Sequence, residues 1–318
     1  MRRYIVLALV SVFILSVALT GCAPQKTNLI LATGGTSGTY YPFGGSMAQI
    51  FNSKIVNMNV TAQATGASVE NLKLIGKKEA ELAIVQNDMV DYAYNGTETF
   101  KDGKVENVRV VANLYPEVIQ IVASADSGIN TLLDIKGKKF SVGAPGSGVE
   151  ANARQLLDVM GMSYSDFSAN YLSFSESADS LKDNHIDGFV FVSGVPNAAI
   201  QDTATTSNLK FVSVPDDVIA KLTEKYPFFT EHVIPAGTYK GQDADVKTIA
   251  VKATLVVGAE VSEDVVYKLT KALFENQSEL AQAHAKGKEL SLENAVKGVS
   301  VPFHKGAEKY YKEVGAIK

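Results

Sequence analysis

"LATGGTSGTYYPFGGSMAQIF", Leu31 to Phe51, decides how the rest of the chain is read. The apolar segment "NLILAT", Asn28 to Thr33, reads as a buried strand. A cluster of Gly, Thr and Ser follows, and "YPFGGSMAQIFNSK", Tyr41 to Lys54, reads as a helix with Pro42 in its first turn. Strand, Gly-rich loop and helix start together put bare backbone N–H groups at the positive end of a helix dipole, and that combination attracts an anion. Thr36, Ser37, Thr39 and, further along, Ser147 can add hydroxyl donors.

The pattern continues on both sides of this stretch. "MNVTAQAT", Met58 to Thr65, reads as a second strand. "GASVENLKLIGKKE" supplies a helix with Ser68 as its cap, and "AELAIVQND" supplies a third strand ending near Gln86 and Asp88. From Val108 two apolar strands, "VRVVANL" and "VIQIVAS", are split by Tyr115-Pro116-Glu117. A second alternating series begins at Thr131, and within it "KFSVGAPGSGVEANARQLLD" repeats the design of the opening stretch about 110 residues later. Alternating strands and helices predict a mostly parallel sheet flanked by helices. Ligands of such sheets bind beyond the carboxyl ends of the strands, so two facing edges enclose a cleft. The expected architecture is α/β and two-lobed, with lobe 1 at 28–118 plus 250–318 and lobe 2 at 119–249.

The leader sets the compartment. Met1-Arg2-Arg3 precedes the apolar run "YIVLALVSVFILSVALT", and Leu19-Thr20-Gly21-Cys22 closes it. A basic start, an apolar middle and small residues before a cysteine make a secretory signal over 1–21. Cys22, the single cysteine of the chain, is the expected lipidation site, with 22–27 as a tether. A plain signal peptide or a retained anchor is the competing reading. No intrachain disulfide can form with one cysteine, so stability must come from buried surface. The formal charge of −4 and the lack of a basic block argue against nucleic acid.

Neither Gly-rich loop fits a nucleotide. A P-loop needs a Lys-Ser/Thr ending, and no lysine follows either loop; Gly34, Gly35 and Gly38 do not space as Gly-x-Gly-x-x-Gly, nor do Gly143, Gly146 and Gly148. A carboxylate on a small solute needs only amides and hydroxyls, while loops that merely turn the chain remain the plainer account. No cofactor is expected. His185, His232, His284 and His304 have no metal-ligand spacing, and no metal is expected. Gly-x-Ser-x-Gly is absent, and the Asp and Glu residues spread over helix surfaces, so an enzyme is not expected. Tyr40, Tyr41, Tyr115 and Phe191 are candidate ligand contacts, with core packing as the alternative.

The chain resembles the TAXI-type solute receptors, the binding components of one class of TRAP transporter. The resemblance spans essentially all of the mature chain. It rests on "ATGGTSGTYYPFGGSMAQIF", "TGASVENLKLI", "ELAIVQND", "SVGAPGSGVEANARQLL", "DGFVFVSGVPNAAI", "IPAGTYKGQDADVKTIAV" and "AEKYYKEVG", in that order. It implies a type II periplasmic-binding-protein fold and a glutamate, glutamine or related carboxylate solute. It also implies delivery of that solute to a TRAP permease driven by an ion gradient; the expected form is a monomer, lipid-anchored through Cys22 in the periplasm or on the outer face of the cytoplasmic membrane. The second loop reads Ser147-Gly148-Val149 where family members often carry Ser-Gly-Thr, and "VPFHKGAEKYY" departs from an expected His-Pro-x-Ala. The expected solute contacts are Gly34, Gly35, Thr36, Ser37, Tyr40, Tyr41, Ser68, Gln86, Asp88, Tyr115 and Glu117 from the first series. Ser147, Gly148, Val149, Phe191 and Gly194 come from the second. Asp88 or Glu117 is the expected acceptor for a solute amine. A ligand-sensing lipoprotein serving a signalling partner is the alternative function.

Overall fold

The computed structural model describes residues 26–318; the leader and Cys22 lie outside the described residues. β1 (Thr27–Ala32) passes through the Gly-rich loop into α1 (Tyr40–Lys54). β2 (Met58–Gln63), α2 (Ser68–Lys77), β3 (Leu82–Gln86) and α3 (Asn87–Asn95) follow. β3 is buried at all five positions, as a strand covered by helices on both faces must be. Phe43, Met47, Ile50 and Phe51 line the inner stripe of α1 at helical spacing. Gly44 lets that helix lie close on β1, since a Cβ there would fall 2.6 Å from Thr33 Cγ2.

The second series begins with β4 (Val108–Ser124), then β5 (Lys139–Ser141), α4 (Gly148–Val159), β6 (Ser168–Asn170), α5 (Phe174–Lys182) and β7 (Gly188–Ser193). α6 (Ala198–Thr206), β8 (Leu209–Phe211), α7 (Asp216–Lys225), β9 (Thr230–Ile234) and β10 (Val246–Gly258) complete it. α8 (Glu263–Glu275), α9 (Gln277–Ala283), α10 (Leu292–Val296) and α11 (Lys305–Glu313) return to the first half of the molecule.

The strands run in the order β2-β1-β3-β10-β4-β7-β5-β6, with β8 added to β4 and β9 to β10. Each half repeats one pattern, its first strand lying between its second and third. β2, β1 and β3 are parallel and β10 closes them antiparallel. β6, β5 and β7 are likewise parallel and β4 closes them antiparallel. The repeated strand–loop–helix design of the sequence is therefore a repeated half-sheet. β4 and β10 pair with each other and belong to both halves: β4 pairs with β10 up to Val118 and with β7 from Val118 onward. β10 pairs with β9 up to Ala250 and with β3 from Ala253.

One expectation fails here. Tyr115, Pro116 and Glu117 do not split two strands; β4 runs unbroken through all three. Proline is tolerated because β7 joins only at Val118, and the ladder to β10 is already irregular between Ala253 and Thr254. Two apolar cores gather residues from 29–115 and 253–311, and two others gather residues from 118–251. Ala151 of α4 crosses over, joining the core that contains Val69, Leu72 and Val85.

Candidate functional site

The N-termini of α1 and α2 meet those of α4 and α5 around a cavity of about 120 Å³, floored by Gln86, Glu117, Val192 and Ser193. Four helix starts aimed at one space make it electropositive without a cationic side chain, and among the described residues neither lysine nor arginine lines it. The four ends are not equivalent. Ser147 and Ser173 cap their own helices, accepting from Glu150 N and Glu176 N. Thr39 and Ala67, at the N-caps of α1 and α2, make no side-chain cap.

α1 has the more open end. It carries no acidic residue in its first turn, and Pro42 removes one N–H that would have gone unpaired. Among the described residues, nothing accepts from the N–H groups of Thr39, Tyr40 or Tyr41. Ala67 adds strain at the neighbouring rim: its φ of 75° is a glycine-like conformation, and such outliers cluster where a site imposes them. Asn71 holds this rim together. Its Nδ2 donates to Thr33 O at 2.6 Å and Ile84 O at 2.9 Å, while Thr65 Oγ1 donates to its Oδ1 at 2.6 Å.

Glu117 is, among the described residues, the one ionisable carboxyl in the wall. Tyr40 donates its hydroxyl to Glu117 Oε2 at 2.5 Å. Burial is the largest influence on Glu117 and pushes its carboxyl up to about 8; the Tyr40 hydrogen bond and Lys286 oppose the shift, and Asp88 adds to it. Burial, together with the charge of Glu117, raises the Tyr40 hydroxyl well above the ordinary tyrosine range.

Of the residues expected from sequence, Gly34, Gly35, Ser37, Tyr40, Ser68, Gln86, Glu117, Ser147, Gly148 and Val149 come together in the wall. Six do not. Thr36 sits exposed in the turn, and Tyr41, the residue after Tyr40 on α1, is turned outward and 36% exposed. Tyr115 packs edge-on against Phe43, with its ring centroid 5.1 Å away. Phe191 is wholly buried, stacked between Phe174 and Phe189. Gly194 lies just past the wall, where a Cβ would press on Lys286 Cε at 2.9 Å. Asp88 is inside α3 rather than at the end of β3; its Oδ1 accepts from Met89 N and its Oδ2 from Asn152 Nδ2.

Two roles also change. Ser68 does not cap α2: Ala67 holds the N-cap position, and the Ser68 hydroxyl accepts from Gln86 N at 3.1 Å. Ser147 is not a free donor, because its hydroxyl donates to Ala144 O at 2.7 Å. Sequence reasoning missed Thr65, Gly66, Ala67, Ser173 and Phe174. "TGAS" and "SFSES" are strand-to-helix junctions of the same kind as the first loop, and that signal was available. His284 and His304 serve as helix-start acceptors, taking the N–H of Lys286 and Gly306.

The two halves are closed on each other. Glu70 N donates to Gly146 O at 3.2 Å, and Gln155 Nε2 donates to Tyr92 OH at 3.1 Å. No helix among the described residues is long and apolar enough to cross a membrane.

Known structures share this architecture. PhnD1 from Prochlorococcus marinus (MIT 9301), solved with methylphosphonate, superposes at a TM-score of 0.55 with 11% identity, covering 91% of this chain and 99% of that one. The alkanesulfonate-binding protein SsuA from Xanthomonas axonopodis pv. citri, bound to MOPS, gives 0.52 and 13%, covering 91% and 85%. A binding protein component of an ABC phosphonate transporter from Pseudomonas aeruginosa gives 0.54 and 12%, covering 82% and 79%. At such identities the likeness is one of fold: α/β, two-lobed and periplasmic-binding-protein-like. The sequence itself goes further, for the NMT1-like family pattern matches residues 31–315, and the chain belongs to the NMT1-like family.

Proposed function

We propose that this protein is an extracytoplasmic solute receptor, not an enzyme, that closes around a small carboxylate and hands it to a membrane transporter. The observation that carries this reading is the uncapped start of α1. Its free N–H groups face a closed cavity whose described walls carry no cationic side chain and a single carboxyl, Glu117. Backbone amides at a helix end suit one compact anion. A doubly charged phosphonate would find no lysine or arginine in the described wall to offset it. A zwitterion satisfies both ends, with its carboxylate at α1 and its ammonium at Glu117. The solute is therefore an amino acid of the glutamate or glutamine kind, in preference to a dicarboxylate.

The lobes of the clamp are 28–118 with 250–318, and 119–249, hinged where β4 and β10 change partners. Opening and closing turn on those crossings. The TAXI-like motifs support a TRAP permease as the recipient, and "LTGC" supports a lipid anchor at Cys22. Stable attachment takes more than one acyl chain.

Calorimetry over glutamate, glutamine, pyroglutamate, 2-oxoglutarate, succinate, methylphosphonate and an alkanesulfonate tests the solute class. Binding confined to the phosphonate or sulfonate sinks the carboxylate reading. Uptake into vesicles carrying the permease tests the recipient: it should stop when the ion gradient is dissipated and continue without ATP. The reverse pattern excludes TRAP.

A further inference from the structure

Gln86 raises a question that the solute site alone does not answer. It is 2% exposed, it lines the cavity, and its Oε1 has no hydrogen-bond donor among the described residues. A buried acceptor without a partner calls for a reason. Oε1 packs against Gly148, itself a residue of the wall; a Cβ on Gly148 would fall 1.5 Å from it and 3.1 Å from Ser68 Oγ.

The reason lies behind it. Gln86 Nε2 donates to Asn152 Oδ1 at 2.9 Å. Asn152 Nδ2 donates to Asp88 Oδ2 at 2.7 Å and to Gln155 Oε1 at 3.2 Å. All four side chains are buried, Asp88 and Asn152 completely. An ionised carboxylate can only accept, so Asp88 obliges Asn152 to turn its NH₂ inward. The Asn152 oxygen is then left to accept from Gln86, and Gln86 must turn its own oxygen away from Asn152, onto Gly148 at the start of α4. Polarity thus runs in one direction along Asp88, Asn152 and Gln86, and it ends in an acceptor.

We propose that Asp88 and Asn152 are positioning residues that fix Gln86 with its carboxamide oxygen toward the solute. The closed site then selects solutes bearing an N–H donor at that point. This deepens the receptor reading and rests on it. Asp88 and Gln86 belong to the half of the molecule built on β3, Asn152 to the half built on β5 and β7. The relay therefore exists only when the halves are closed. A solute donor that satisfies Gln86 Oε1 favours the same state, which couples recognition to closure. Near neutrality the carboxyl remains mostly ionised, since burial raises it only to about 6.

The test is the discrimination between donors and non-donors at pH 8. Glutamate, glutamine and pyroglutamate carry an N–H; 2-oxoglutarate and succinate carry none. The wild type should bind the better of the first group at least about tenfold more tightly than the better of the second, the scale of an unmatched buried acceptor. Asp88→Asn can donate as well as accept, and Asn152→Leu cuts the relay with a side chain branched at the same carbon. Each should reduce that ratio about fivefold or more, whatever it does to absolute affinity. A merely structural role would weaken all five solutes alike and leave the ratio unchanged. Equal binding of both groups by the wild type overturns the proposal without any variant. A ratio that survives in both variants also overturns it, and leaves the receptor reading standing. If none of the five binds the wild type, both fall.

Discussion

Tyr40 and Glu117 are joined by a 2.5 Å hydrogen bond inside the closed cavity, although 77 residues separate them in the chain. The tyrosine begins α1, whose amides face the cavity; the glutamate sits on β4, the strand common to both halves. One contact therefore ties the anion-attracting end of the site to the strand about which the lobes turn. Tyr40→Phe removes the donor and leaves Glu117 harder to ionise, which weakens its hold on an ammonium. Affinity for an amino acid should fall by roughly 10- to 150-fold, the range for a lost hydrogen bond to a charged group. Succinate, which brings no ammonium, should lose far less. Calorimetry on the two proteins reads both numbers.

Glu117 also makes stability depend on pH, and the sign is fixed. The native carboxyl keeps its proton up to about 8, whereas the unfolded one releases it near 4.5. Between those values the native state binds more protons, so solute-free stability falls as pH rises. Glu117→Gln carries no such penalty. The two proteins should melt alike at about pH 4.5, and the variant should gain steadily toward pH 8. The full difference is on the order of 3–5 kcal/mol, taking about 1.4 kcal/mol for each tenfold change in proton affinity. Asp88 is common to both proteins and cancels. A melting-temperature gap that is constant across the window contradicts this account.

Ser147→Ala should cost stability rather than affinity. The hydroxyl accepts from Glu150 N at the start of α4 and donates to Ala144 O, so neither of its hydrogen bonds involves a solute. Losing such a cap costs about 1 kcal/mol. Denaturant titration should show that loss, with a dissociation constant changed less than about threefold, below 1 kcal/mol.

Gly148→Ala should do the opposite. The new methyl would fall 1.5 Å from Gln86 Oε1 and 3.1 Å from Ser68 Oγ, so the lobes cannot close without displacing Gln86. The free protein should melt normally, because the backbone there needs no glycine conformation. Solute should bind at least about tenfold more weakly, a penalty above 1.4 kcal/mol. Small-angle scattering should show no compaction on adding solute at concentrations that compact the wild type.

The sequence revealed most where local chemistry decides the structure. The strand, Gly-rich loop and helix at Asn28–Lys54 could be read from residue order alone, and so could its echo at Lys139–Asp158. The alternation that produces the two half-sheets was equally visible. Pro116 misled because a proline reads as a break; the late arrival of β7 at Val118 and the irregular ladder to β10 make it harmless. Ser68 misled by one position: the N-cap of α2 falls on a strained Ala67, which no serine-counting rule anticipates. Asn152 was invisible for a deeper reason. An asparagine within "EANARQLL" reads as the polar face of a helix, and its partners in the other half, Gln86 and Asp88, lie 66 and 64 residues away. Contacts of that kind arise when two halves meet, and local pattern carries no trace of them.

The central claim is that a solute carboxylate rests on the amides at the start of α1. A crystal structure with the tightest-binding compound of the calorimetric series tests it most directly. One carboxylate should lie at hydrogen-bond distance, about 2.7–3.2 Å, from backbone nitrogens within Gly34–Tyr41, with any amine toward Glu117. A solute bound outside this cavity, or one whose carboxylate avoids α1 altogether, would contradict it.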